Sequence, residues 1–549
     1  MGIFIHLEVS KSTTEEEWNR VYQESLELVN AFPLAERGTI TYFGKQVVCA
    51  VRTRERQSSD RSGMEYGWHA EMDYDTLKQA EDYYLPRNLV DREKIDREAQ
   101  DAMMGALPTY MDYDWKDKRF GRTYSLWGAK TQGKPYHMYL LSIACLMEDR
   151  LGEKAFVYGD ITQGQCRKAV EMANRYLKQP IQVPARCDVD RLYRRIQRLP
   201  IEEIEKTEAF ERFYLGEKDK MFYQYMRSHF HAEIIRAYWE KRFSHSFIGT
   251  RGFTKVLREY LSSGAGLEEL CRIAHMKDRE GNLQCEKFIN AVMDSKLHIK
   301  EKNTDDCLDI QQGAEQPYSI WTLFADFAFG SAHNRKVDRY IPIEEIRASL
   351  KNGMGDQCDV DQYIDQYLER EAAAPEIDVS RENITEKELT EMADTDAAEV
   401  FNQLIHKKTN EMQNMQEQYV NTDYEDLMEY KKGSTITPAL KEAVGKSFLF
   451  YRSITEERQY KELMEKSHEE RCVFLIEQNQ QLLLRDKDWS NIFADMEQHP
   501  ESYERYYPMV RVKADDRGLN RLIMALVLNE ELYESAEEWS LYCGQDTDD

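Results

Sequence analysis

The sequence predicts an α+β / α/β protein: an N-terminal mixed α/β domain built around a βαβ unit, followed by a large, mainly α-helical region. Three observations carry this expectation. Helix-like and strand-like stretches alternate between Tyr136 and Leu199, the grammar of a parallel sheet. From Pro200 onward apolar residues recur at helical spacing and strand-like runs nearly vanish. The chain has 549 residues, 41% of them hydrophobic and 32% charged, the balance of a folded chain and not of a disordered one. That length exceeds a single core and suggests roughly three or four domains. The expected divisions are a mixed α/β domain over 1–200, a helical domain over 201–370, an acidic linker over 371–396 and a helical C-terminal region over 397–549.

The N-terminal elements follow in order. Ile3, Ile5, Leu7 and Val9 alternate with Phe4, His6 and Glu8, as in a strand with one buried face. Thr13 followed by Glu16 reads as a capping box, opening a helix whose inner face is Trp18, Val21, Tyr22, Ser25, Val29 and Phe32. Pro33 stops it. TITYFGKQVVCAVRTRE reads as a hairpin turning at Gly44-Lys45. RERQSSDRSG reads as a polar loop, and EYGWHAEM as a further strand with Tyr66, Trp68, Ala70 and Met72 on one face.

The centre of the domain is the stretch from Tyr136. Met138 to Met147 are apolar on nearly every side, which marks a buried helix, and Gly152 ends it. KAFVYGD is then a strand. Cys166, Ala169, Val170, Ala173, Tyr176 and Leu177 form the inner face of the next helix. PIQVPAR is expected to be the second, parallel strand, and Asp188 caps a helix with Val189, Leu192, Tyr193, Ile196 and Leu199 inward.

Beyond Pro200, helices are expected at 201–215, 218–243, 251–263, 266–276, 283–294, 317–329 and 342–351, punctuated by glycines. The acidic run EREAAAPEIDVSRENITEKELTEMADTDAAE reads as a linker or solvated hinge. Further helices are expected after 397, at 437–450, 455–487 and 517–535. No repeat period marks a solenoid.

Composition narrows function. With 100 acidic against 74 basic residues the net charge is −26, a field that repels nucleic acid and anionic membrane. The ten cysteines show no CxxC spacing, so neither a disulfide framework nor a zinc finger is suggested. The start MGIFIHLEVSKS lacks the features of a signal peptide, His6 stands where a myristoylation signal wants Ser or Thr, and no apolar run is long enough to span a bilayer. A reducing cytosol is the expected setting. The phosphate loop, GxGxxG, GxSxG, HExxH and EF-hand signatures are all missing.

Four constellations remain. At the carboxyl end of strand 154–160, Asp160 and Cys166 are the candidate catalytic residues and Thr162, Gly164 and Gln165 the candidate binding residues. A parallel sheet opens its crevice there, and a helix N-terminus attracts anions and lowers a thiol pKa. Against that, Cys166 lies on the apolar stripe and Thr162 reads equally as a cap. Arg191, Arg194, Arg195 and Arg198 share the polar face of one helix, either as a phosphate site or as a solvated charge run. In SHFHAE, His229 and Glu233 could share an ion on one helix, whereas His229 and His231 cannot, and too few further ligands exist to expect a metal. Glu71, Asp73 and Asp75 with His69, and Asp112, Asp114 and Asp117, could gather carboxylates for a cation or acid/base work, or simply mark a strand entering solvent.

No matched catalytic set emerges, and no cofactor is expected. The expected function is that of a cytosolic, acidic, non-catalytic scaffold or regulator acting through protein–protein contacts with a basic partner. The alternative is an enzyme with its site near the end of strand 154–160. The two differ in whether that strand end opens into a pocket with converging polar groups.

Overall fold

In the computed structural model, residues 3–60, 63–89, 101–107, 123–277, 280–300, 337, 339–373, 424–455, 458–479, 482–510 and 517–543 are described. The N-terminal part has two sheets backed by helices, and a large helical region follows, as the composition pattern predicts.

Strand β1 (Phe4–Ser10) buries Ile5, Leu7 and Val9 completely on the alternating face read from the sequence. Helix α1 (Glu15–Ala31) starts one residue later than expected: Thr14 is the cap, and it exchanges hydrogen bonds with Glu17. β2 (Leu34–Tyr42) and β3 (Lys45–Arg52) form the expected hairpin. Its turn is Phe43-Gly44, one residue early, with both residues at positive φ, the two-residue geometry that matches strand twist. The polar stretch expected to be a loop instead supplies β4 (Arg56–Asp60), which pairs with β5 (Gly63–Asp73). β2 and β4 pair with β5 at its opposite ends, and β6 (Gln79–Pro86) also pairs with it. β7 (Thr123–Lys130) and β8 (Ala155–Gly159) flank β1 in the other sheet.

Every pairing among these strands is antiparallel, so the βαβ unit is corrected. α2 (Tyr136–Leu151) is buried and ends at Gly152 as expected, and α3 (Gln163–Asn174) buries Cys166, Ala169, Val170 and Ala173, while Tyr176 turns outward. The PIQVPAR segment, however, is irregular until a short 3-10 turn at Ala185–Cys187. Pro180 and Pro184 remove two donors from it, and side chains take up three more. Asn174 bonds both backbone groups of Ile181, Asp149 accepts from Gln182 N and Glu148 accepts from Ala185 N. The edge of β8 where a parallel strand would pair is occupied by side chains too: Val157 N donates to Glu148, and Arg186 and Arg195 donate to the carbonyls of Val157 and Ala155.

The helices after Leu199 pack around a core running from Phe210 through Tyr367, which Phe156 and residues 102–107 join from the N-terminal part. Together with the helix just before them, they are α4 (Val189–Gln197), α5 (Glu203–Phe213), α6 (Lys220–His229), α7 (Ala232–Ser244), α8 (Arg251–Ser262), α9 (Leu267–Ile273), α10 (Cys285–Met293), α11 (Ile343–Met354) and α12 (Val360–Ala373). The single helix expected over 218–243 breaks at Phe230-His231. A disulfide joins Cys285 to Cys358, a pair 73 residues apart that no spacing rule suggests. The helix expected at 317–329 lies outside the described residues, as does the linker expected over 371–396 beyond Ala373.

The C-terminal helices are α13 (Pro438–Ile454), α14 (Arg458–Met464), α15 (His468–Gln478), α16 (Asp486–Gln498), α17 (Tyr503–Tyr506), α18 (Arg517–Leu528) and α19 (Glu530–Ser540). The long helix expected over 455–487 is divided, because Ser467 and Glu470 form a capping box that starts α15. Residues 482–485 are extended, and Ala50 N of β3 donates to Leu484 O at 2.8 Å. Trp489, Ile492 and Phe493 cover Cys49, Ala50, Met72 and Tyr74 in one shared core. The C-terminal helices thus close a face of the N-terminal sheet.

Candidate functional site

At the end of β8, Asp160 closes the sheet. Its carboxylate accepts from Phe4 N and its own N–H donates to Phe4 O, each at 3.0 Å. Thr162 caps α3: Gln165 N donates to the Thr162 hydroxyl at 3.1 Å, and the Gln165 side chain accepts from Thr162 N at 3.0 Å. Two of the α3 N-terminal groups that could hold an anion are thereby occupied. Gly164 is exposed, with only the Thr162 hydroxyl near the place a Cβ would take. Cys166 has no exposed surface. A hydrogen bond with Cys145 and burial push its thiol pKa well up, the opposite of what a thiolate nucleophile needs. Cys187 is its other sulfur neighbour. Asp160, Thr162, Gln165 and Cys166 therefore stand in sequence order along one edge, each in a local structural contact. With β8 antiparallel to β1 and edged by Glu148, Arg186 and Arg195, the parallel-sheet crevice that singled them out does not form.

The acidic stretch does not converge either. Asp73 is buried and accepts from the backbone and hydroxyl of Thr76, closing the turn after β5. Glu71 accepts from Arg37 N, and Asp75 lies within 4 Å of Arg52 and Lys487. His69 packs against the Tyr84 ring in a tilted arrangement. Asp112, Asp114 and Asp117 lie outside the described residues. His229 ends α6 and Glu233 begins α7, so the one-helix geometry required for a shared ion is absent, and His229 stacks on Tyr225 instead. Among the described residues no group of three or more His, Cys, Asp or Glu is placed to hold a metal.

The arginines of α4 are the candidate the structure develops. A cavity of about 220 Å³ is lined by Arg191, Arg194, Arg195 and Arg198 together with Glu148 and Glu153. Its floor is rigid. Arg195 is buried, holds Asp101 with two nitrogens and contacts Glu148 at 3.4 Å. Burial acts to discharge this guanidinium, but Asp101, Glu148 and Glu153 together outweigh it and the pKa rises. Glu148 is fully used: one oxygen accepts from Val157 N, the other from Ala185 N and Arg195. Removing one partner of such a buried pair typically costs about 3–5 kcal/mol, so this floor is structural as well as electrostatic.

The rim differs. Arg198 pairs with Glu153. The Arg191 guanidinium donates only to Val183 O and that of Arg194 only to Asp190 O, with no carboxylate within ion-pair distance of either guanidinium among the described residues. The run of arginines was legible in the sequence. Its partners Glu148 and Asp101 were missed, although a carboxylate ending an otherwise apolar, buried helix is itself a signal that a cation must reach it. Among the described residues no helix is long and apolar enough to cross a membrane. No protein-family model, curated protein or solved structure matches the chain.

Proposed function

We propose that this chain is a non-catalytic, cytosolic interaction protein that engages a partner of basic character. The observation that carries the reading is the surface of α19. This helix exposes Glu534, Glu537 and Glu538, has no basic residue in its last turn, and is followed directly by Leu541 and Tyr542, which are 71% and 75% exposed. Carboxylates beside large exposed apolar groups suit a basic, amphipathic segment: the charges steer encounter and the side chains supply contact area. The net charge of −26 extends the same attraction over a longer range.

The alternative, an enzyme acting through Asp160 and Cys166, asks for an accessible thiolate, and the complete burial of Cys166 runs against it.

Affinity capture with the full chain and with a Glu537→Lys/Glu538→Lys variant, followed by identification of what binds, tests the reading. A basic protein should be retained by the unaltered chain, released as salt is raised, and recovered on the order of tenfold less by the variant. Equal recovery by both, or binding insensitive to salt, would count against it.

A further inference from the structure

We propose that the arginine-lined cleft of α4 is a binding site for a small phosphate-bearing molecule, with Arg191 and Arg194 as the groups that recognise the anion. The inference goes beyond the partner reading and does not depend on it.

The balance of charge and donors in the cleft supports it. The cleft and its floor set four arginines against Glu148, Glu153 and Asp101, an excess of one positive charge in a chain whose net charge is −26. The acids are committed to Arg195, Arg198 and backbone amides, so the excess sits on Arg191 and Arg194. A guanidinium carries five N–H donors in a planar fork, and each of these two uses one donor on a carbonyl. The remaining donors fit two oxygens of a tetrahedral oxyanion, the geometry in which arginine surpasses lysine. Position favours recognition as well. α4 places these arginines three residues apart on one side of the helix, above a floor whose hydrogen bonds fix Arg195. Pre-organisation of this kind lowers the ordering cost of binding.

Size selects the ligand class. A cavity of about 220 Å³ is below the range typical of drug-sized sites, and it suits one or two phosphoryl groups with the rest of the molecule outside. The structure therefore points to a diphosphate-like anion and not to an extended polymer, which the surrounding acidic field opposes.

Inorganic pyrophosphate, inorganic phosphate and a phosphoserine peptide, each titrated calorimetrically into the full chain, form the test. Saturable binding of pyrophosphate, tighter than of phosphate, is expected. Arg191→Gln/Arg194→Gln should weaken it on the order of a hundredfold, since each charge-assisted hydrogen bond to a phosphoryl oxygen accounts for roughly tenfold or more. Arg194→Gln alone touches only an exposed side chain, and should weaken binding about tenfold without disturbing the Val183 hydrogen bond. Lys431→Gln/Arg458→Gln removes the same charge at exposed, distant positions and should leave affinity within about twofold. No saturable binding of pyrophosphate, an equal weakening in the distant variant, or tighter binding of the phosphoserine peptide would each overturn the proposal.

Discussion

His137 and Glu148 stand on the same buried helix, and the chain satisfies them differently. Glu148 meets three donors, Val157 N, Ala185 N and Arg195. His137 has no exposed surface; its Nδ1 lies 2.7 Å from the Thr131 hydroxyl, and its Nε2 meets no partner. Because Thr131 also donates to Ile3 O, its hydroxyl accepts from Nδ1–H, leaving a bare lone pair on Nε2. Protonating that nitrogen would bury an uncompensated charge, so burial lowers the His137 pKa to about 4. The unfolded chain binds this proton near pH 6.5, whereas the folded chain refuses it until about pH 4. Stability from this residue is therefore complete above pH 6.5 and falls as the pH drops toward 4. Between pH 7.5 and 5 the loss is about 2 kcal/mol. Unfolding free energies from urea titrations at those two pH values should converge by that amount in His137→Asn relative to the unaltered chain. Parallel losses in the two proteins would show that His137 does not carry the effect.

What could be read from the sequence divides at the element scale. β1, α1, the β2–β3 hairpin and α2 were legible because each states its own period, cap or turn locally. PIQVPAR was not, since its alternation resembles a strand while its backbone is held by the nearby Asn174 and by Asp149 and Glu148, which are distant in sequence. The segment 482–485 failed for the opposite reason: Leu482, Leu483 and Leu484 continue a helical pattern, yet they lie extended beside β3 because an edge strand with open backbone groups is available there. The candidate site was legible as a run of arginines but not as a cleft, whose acidic floor comes from α2 and Asp101. The 482–485 strap makes a testable claim. Trp489 is 1% exposed and packs where α16 meets β3. Trp489→Ala should lower stability by roughly 3–5 kcal/mol. Amide exchange of β3 should quicken with it, while exchange in the β1–β8 ladder, which shares no core with Trp489, should change less. Uniform acceleration across both sheets would mean that the strap has no separate existence.

At the scale of the whole molecule, the two chain halves are held together by packing, and one covalent link lies inside the helical middle. Residues 35–77 share a core with 451–527, and residues 102–107 share another with the helices from α4 to α12. Within that second core the Cys285–Cys358 disulfide ties the start of α10 to the chain just before α12. The other described cysteines are free, and all but Cys543 are buried, so this bond is not part of a scaffold of bridges. Its effect follows from the 73 residues it encloses. Closing a loop of that length restricts the unfolded chain, and the chain-entropy model assigns this restriction about 4 kcal/mol, an upper value where the unfolded state retains structure. Both cysteines are partly exposed, so reductant reaches the bond without global unfolding. Treatment with reductant should thus lower the urea midpoint of the helices from α8 to α12, followed by amide exchange, and a Cys285→Ser/Cys358→Ser variant should behave like the reduced chain whether or not reductant is present. The N-terminal sheet and its C-terminal cover, which lie in a different core, should keep their midpoint. Identical unfolding of oxidised and reduced chains would show that packing around Phe288, Ile346 and Ile364 already fixes the loop, and that the bond contributes nothing to it.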